Sequence, residues 1–210
     1  MTDSLIYKIF LTVDMISKGF TETVLNSCYM VFDKQVPGFR IIYKKEISNL
    51  FSEKLAEKKL KTKNIQNPKV FDVYIYAMFR VFYKRLRDKP KIQLILKFIG
   101  KKVYDEFRKK NKLSGNIKKD LASIQKYFQK NKFFTNSQIT WSDKKRFRQI
   151  ISNPVTYDAA KEIYSELGFS INIVSKVMEA YFNEYKIKVF EKHFNPYQQN
   201  KKIIEFWEFK

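Results

Sequence analysis

The side chains of this 210-residue chain that have a chemistry to offer are mostly cations. The densest run lies between residues 84 and 112. It holds Lys84, Arg85, Arg87, Lys89, Lys91, Lys97, Lys101, Lys102, Arg108, Lys109, Lys110 and Lys112 against only Asp88, Asp105 and Glu106. A second cluster is Lys144, Lys145, Arg146 and Arg148. Ammonium and guanidinium groups at this density attract phosphates or carboxylates. With so few acids to offset them, the two runs are expected to form a phosphate-facing surface. No constellation of Arg and Asn suited to base edges accompanies them, so the expected nucleic-acid binding is insensitive to sequence. Trp141 and Trp207 have flanking apolar residues and are expected to pack rather than stack on bases.

Other chemistry is thinly supplied. One His and one Cys exclude most metal and nucleophile arrangements. His193, in a His-Phe-Asn-Pro turn, has no second ligand near it in sequence, and Cys28 sits in an apolar run and reads as core. There is no glycine-rich phosphate loop and no dinucleotide fingerprint. Asp158, Glu162 and Glu166 recur every four residues and line one helix face, which is read as a solvated face pairing with Lys161 and similar neighbours rather than as a metal site. The chain is therefore expected to be no enzyme and to use no cofactor.

Composition agrees with a charge-driven role. Lys plus Arg number 42 against 21 Asp plus Glu, a net charge of +21 that must be answered by something acidic. Candidates are nucleic acid, an anionic membrane surface or acidic protein neighbours; 20 Phe and 13 Tyr beside the Lys favour the first. Nucleotide bias in an A- and T-rich genome explains Lys and Phe, but not the suppression of acids to half the basic count. Lys8, Asp14 and Lys18 interrupt the first apolar run, so neither a signal nor a membrane span is expected there. The single Cys allows no internal disulfide. The expected location is the host cytoplasm, or a virion packaged from it, with no membrane partner.

Only five Gly and five Pro punctuate the chain, so long helices should dominate. The pattern predicts a helix through Leu5 to Ile16 stopped by Gly19, and a second from Thr21 to about Phe32. A β-like stretch follows Val36-Pro37-Gly38-Phe39 through Ile41, Ile42 and Tyr43. Further helices are predicted over 46–60 and 70–86. Residues 91–100 are read as a strand, because Ile92, Leu94, Leu96 and Phe98 share a face at period two. Helices over 103–111 and 116–130 come next, then a linker over 131–140 and a short basic helix over 141–151. The end of the chain reads as a Thr156-capped helix over 157–167 closed by Gly168, a helix from Ser170 to about Phe190, and a strand over 202–209.

Two of these segments echo each other. Gly19-Phe20-Thr21 with Val24, Leu25, Cys28 and Tyr29 matches Gly168-Phe169-Ser170 with Ile173, Val174, Val177 and Met178. Residues 156–210 thereby resemble the front half of an HU/IHF-type DNA-architectural subunit, and Val36-Pro37-Gly38-Phe39 is similar to that family's strand turn. The resemblance implies an α+β, predominantly helical fold. HU/IHF-like half-units would occupy 1–50 and 141–210, flanking a basic helical middle over 51–131 with a degenerate third copy over 46–103. Family members bend DNA as dimers through basic arms; here no arm is legible after Phe39 or after Lys210, which leaves bending unsupported. Degenerate subunits of this kind resemble structural genes of crAss-like tailed phages. On that footing the expected function is a non-catalytic subunit of a nucleoprotein assembly, a virion tail or head-to-tail ring protein forming a homo-oligomer near DNA. The alternative is a free, sequence-nonspecific nucleic-acid-binding protein of nucleoid-associated or ribosomal type. Residues 160–186 also resemble the second and third helices of a homeodomain, but Glu179 and Glu184 stand where base-reading groups would be needed.

Overall fold

The computed structural model describes residues 15–193 and 201–210. Of the predicted helix through Leu5 to Ile16, residues 5–14 lie outside them, as does the Asn195-Pro196 turn, and Met15 and Ile16 precede the first helix without being helical. The fold is α+β and predominantly helical: α1 (Lys18–Gln35), α2 (Phe39–Ile42), α3 (Lys44–Glu57), α4 (Pro68–Leu86), α5 (Lys89–Lys110), α6 (Ile117–Lys130), α7 (Tyr157–Leu167) and α8 (Ile173–Glu184). The strands β1 (Asn136–Trp141), β2 (Arg146–Ser152), β3 (Val189–His193) and β4 (Lys202–Phe209) form one antiparallel sheet in the order β1-β2-β4-β3. One continuous core joins Phe20 of α1 to Trp207 of β4 through α4, α5 and α8.

The organising element is α5, packed against α8 on one side and α1 on the other. Asp88 caps it, accepting from the Lys91 amide at 2.9 Å, and Pro90 occupies its first turn. Ile92, Ile95, Leu96, Ile99, Val103 and Phe107 are buried at helical spacing. The strand expected over 91–100 is therefore the first half of this helix. Its period-two set splits, with Ile92 and Leu96 inward while Leu94 and Phe98 face solvent. At Gly100 the backbones of α5 and α8 meet: a Cβ there would lie 2.5 Å from the carbonyl carbon and oxygen of Lys176.

Three further expectations are corrected. The β-like stretch after Gly38 is the short helix α2, because Gly38 at φ 73° turns the chain so that Phe39 packs on Phe32 and Phe82. The expected linker over 131–140 buries Phe133 and Phe134 and then forms β1. The expected basic helix over 141–151 is a β-hairpin: Phe147, Gln149 and Ile151 alternate inward, each Lys or Arg between them outward. The echo is not structural either. Gly168 ends α7 in the left-handed region at φ 69°, whereas Gly19 lies inside the first turn of α1, which Ser17 caps. The last helix starts at an Asn172 cap rather than at Ser170, and ends at Glu184.

Acids stitch the layers together. Asp120, buried, accepts from the backbone amides of Ser114 and Gly115 and from the Tyr181 hydroxyl, tying the α5–α6 loop to α8. Glu205, on β4, accepts from Asn172 and Ser175 at the start of α8. Asp72 of α4 caps α7 from outside, accepting from the Ala159 amide at 2.9 Å where the side chain of Thr156 makes no capping bond. The acidic stripe of α7 stays partly exposed, as a solvated face would, but its partners are cations of neighbouring elements rather than Lys161. Asp158 meets Lys201 at 3.0 Å, Glu162 meets Lys54 and Lys58 at 3.2 and 2.9 Å, and Glu166 meets Arg80 at 2.8 Å. Burial holds the Asp72 carboxyl up at about 7, against the opposing pull of the Ala159 amide and of Lys58. In Lys54, the hydrogen bonds to Glu57 and Glu162 outweigh burial and raise its pKa.

Three outcomes follow. Gly100→Ala should destabilise the protein by about 3 kcal/mol, since backbone rather than a movable side chain blocks the methyl. Gly19→Ala, with open space at its Cβ, should leave stability unchanged or slightly higher in the same urea titration. Because the folded pKa of Asp72 lies above its unfolded value, its ionisation costs stability progressively as pH rises from about 4 to about 7. Asp72→Asn keeps an acceptor for the Ala159 amide but cannot ionise. Its stability relative to the parent should therefore improve by about 1–3 kcal/mol between pH 4 and pH 8.

Candidate docking surface on α5

The sixteen basic residues singled out in the sequence do not form one surface. Lys84, Arg85 and Arg87 end α4, and Lys89 and Lys91 begin α5. Lys97, Lys101 and Lys102 lie along the middle of α5, and Arg108, Lys109, Lys110 and Lys112 at its end and in the loop beyond. Lys144, Lys145, Arg146 and Arg148 belong to the β1–β2 hairpin, on a different layer of the molecule.

Many of them are already engaged. Arg85 pairs with Glu46 and lies 4.9 Å over the Tyr43 ring, Lys97 reaches Glu179 at 3.8 Å, and Lys101 pairs with Asp105. Arg108 reaches Glu184 at 3.2 Å, Lys109 pairs with Glu106, and Arg146 holds Asp143 at 2.8 Å. Arg146 and the backbone amides of Lys145 and Arg146 all bond to Asp143, and that keeps its carboxyl below the usual range. The hairpin cations thus serve partly to hold the turn. Arg87 adopts φ 53° as the C-cap of α4, and its Nε donates to the Lys84 carbonyl at 3.4 Å, so it has a local task too.

What the sequence reading missed is the pair of apolar side chains set among the α5 cations. Leu94 and Phe98, one turn apart, remain 52% and 47% exposed. Lys91, Lys97, Lys101 and Lys102 stand on the same outward side, all exposed. Reading 91–100 at period two hid them, since it assigned Leu94 and Phe98 to the buried face. A helical period separates them at once from Ile92, Ile95, Leu96 and Ile99. Such a stripe, apolar in the centre and basic at the rim, has the make-up of a protein-binding helix face.

The inner face of α5 carries no open chemistry. The Tyr104 hydroxyl, buried and near Glu184, and the Tyr181 hydroxyl, bonded to Asp120, both have raised pKa values, burial being the main cause. Burial likewise pushes up the Cys28 thiol. Among the described residues no group of three His, Cys, Asp or Glu side chains is placed to hold a metal ion, and no helix is long and apolar enough to cross a membrane.

No protein-family model matches the sequence, and no curated protein matches it. Solved structures do. A doubly substituted Tt H-NOX protein overlays 90% of this chain and 94% of its own at 10% identity, with a TM-score of 0.52. An H-NOX structure described in terms of the molecular mechanism of H-NOX activation overlays 90% and 95% at 10% identity, with a TM-score of 0.50. An H-NOX domain from Shewanella oneidensis in the Fe(II)CO ligation state gives a TM-score of 0.45, covering 88% and 97% at 10% identity. The two likenesses at TM-scores of 0.52 and 0.50 overturn the HU/IHF resemblance, and with it the DNA-architectural and phage tail or ring assignment that rested on it; the expected HU/IHF-like halves are not shown. At this identity they establish architecture alone: the chain has an H-NOX-like fold.

Proposed function

We propose that this chain is a non-catalytic binding subunit that docks an acidic amphipathic helix of a partner protein onto α5. The observation that carries the reading is the exposed Leu94–Phe98 pair flanked by Lys91 and Lys102, with Lys97 and Lys101 beside it in ion pairs with Glu179 and Asp105. A phosphate backbone would be served by the lysines alone and would gain nothing from an exposed leucine. A helix with apolar residues on one face and Glu or Asp at its margins satisfies both features, burying the two side chains while answering the charge.

An iron centre does not suit the Cys28 thiol or the Tyr104 and Tyr181 phenols among the described residues. Iron is held by thiolate, imidazole, thioether or phenolate groups. The one thiol, Cys28, is buried, and burial raises the pKa of that thiol and of the Tyr104 and Tyr181 phenols. The one histidine, His193, ends the edge strand β3. Aromatic contacts fill the space between α5, α6 and α8: Tyr104 on Tyr181, and Phe107 on Tyr127.

The reading is tested by anisotropy with a labelled helical peptide of about 20 residues, Leu on one face and Glu on the other. Leu94→Ser combined with Phe98→Ser should weaken binding at least about tenfold while leaving thermal unfolding unchanged, because both side chains are exposed. A double variant that binds the peptide as the parent does, or a random duplex that outcompetes the peptide regardless of these substitutions, would sink it.

A further inference from the structure

We propose that the groove between the start of α1, the end of α5 and α6 is a binding site for a small molecule carrying two or more phosphate groups. The groove has a volume of about 490 Å³, within the range of small-molecule clefts, and among the described residues no acidic side chain lines it. Lys110, Lys126 and Lys130 line it instead, one from α5 and two from successive turns of α6. None of the three has an acidic partner among the described residues, although lysines close by do: Lys109 is paired with Glu106, and Lys101 with Asp105. Three unanswered ammonium groups around one concavity repel each other, and a multivalent anion relieves that repulsion.

The rest of the lining is already committed, which leaves the lysines as the groups free to meet a ligand. Asn131 donates to the Tyr127 carbonyl at 2.7 Å and accepts from the Ser17 hydroxyl at 2.6 Å. Asn111 donates to the Phe107 carbonyl at 2.8 Å. Phe20 and Tyr127, edge to face at 5.7 Å, supply an aromatic wall that holds its shape without the ligand. Rigid walls and mobile cations suit a compact polyphosphate: the lysines close on it while the cleft is preformed. The positive end of α1 opens on the same groove and adds to the field, but the lysines carry the argument. The groove is separate from the Leu94–Phe98 stripe, so neither reading depends on the other.

The test is calorimetric titration of the full chain with inorganic pyrophosphate. The expected result is saturable binding, weakened at least about tenfold by Lys126→Ala combined with Lys130→Ala, since each removes a charge-assisted contact. Lys44→Ala combined with Lys45→Ala, both exposed at the start of α3, removes the same charge outside the groove and should change affinity less than about twofold. Equal losses in the two double variants would show that the overall charge, not the groove, holds the anion, and would overturn the proposal. So would a folded parent protein that does not bind pyrophosphate. Sedimentation with phosphatidylcholine vesicles containing phosphatidylinositol phosphate, beside titration with the soluble headgroup, separates the sources. Vesicle binding that requires Lys126 and Lys130 assigns a lipid headgroup, and binding of the soluble headgroup alone assigns a free phosphate ester. Loss of peptide docking in the Leu94 and Phe98 variants would leave the pyrophosphate result untouched.

Discussion

The backbone contact between Gly100 and Lys176 is the constraint on which the rest of the structure hangs. It lets α5 and α8 approach closely enough for Ile99, Val103 and Val177 to share one core, and it fixes how α5 is rotated about its axis. Once Gly100 must face α8, the helical period decides every other position on α5. Ile92, Ile95, Leu96 and Phe107 turn inward with it; Leu94, Phe98, Lys101 and Lys102 have nowhere to go but outward. The exposed stripe is thus a consequence of the packing, and moving it would require moving the α5–α8 contact.

The placement of the acids sharpens the field that this geometry creates. Asp72, Asp120 and Glu205 are buried, and Glu162 and Glu166 are spent on the seam between α7 and its neighbours. Each caps a helix, closes a loop or joins two layers. Acids used inside cannot neutralise the outside, so the cations of α5 and α6 act on their surroundings with less opposition than a count over the whole chain suggests. Surface acids that do pair include Asp143, which holds Arg146 and the hairpin turn in place, and Asp105 and Glu106, which answer Lys101 and Lys109 on α5.

Much of the helical framework was legible because its punctuation is physical. Pro68 opens α4, Gly168 closes α7 in a conformation few other residues accept, and the apolar spacing of 103–111 and 116–130 is helical. The failures have separate local causes. In 91–100 the residues Ile92, Leu94, Leu96 and Phe98 satisfy period two as well as Ile92, Ile95, Leu96 and Ile99 satisfy the helical period, and only tertiary packing chooses between them. In 141–151 the inward positions include Gln149, a polar residue that hides the alternation, while the outward Arg146 and Arg148 look like a helix face. The glycine echo failed because a glycine read from sequence carries no φ. Gly168 needs its positive angle, and Gly19 does not. The cations could be named but not grouped, since grouping requires knowing that 91–110 is one helix and 136–152 a hairpin.

The two proposed surfaces share one helix. Its middle presents Leu94 and Phe98 with their basic rim, and its last turn presents Lys110 to a groove completed by Lys126 and Lys130 of α6. The Asn111 bond to the Phe107 carbonyl closes α5 just where the groove begins, and Asp120 fixes the loop that brings α6 back alongside. An anion held by Lys110 and the two α6 lysines would therefore tie the end of α5 to α6 across that loop. It would stiffen the helix that carries the docking stripe without touching the stripe itself. Coupling of this sort needs no change of shape; it needs only that the partner bind a helix whose end is already ordered.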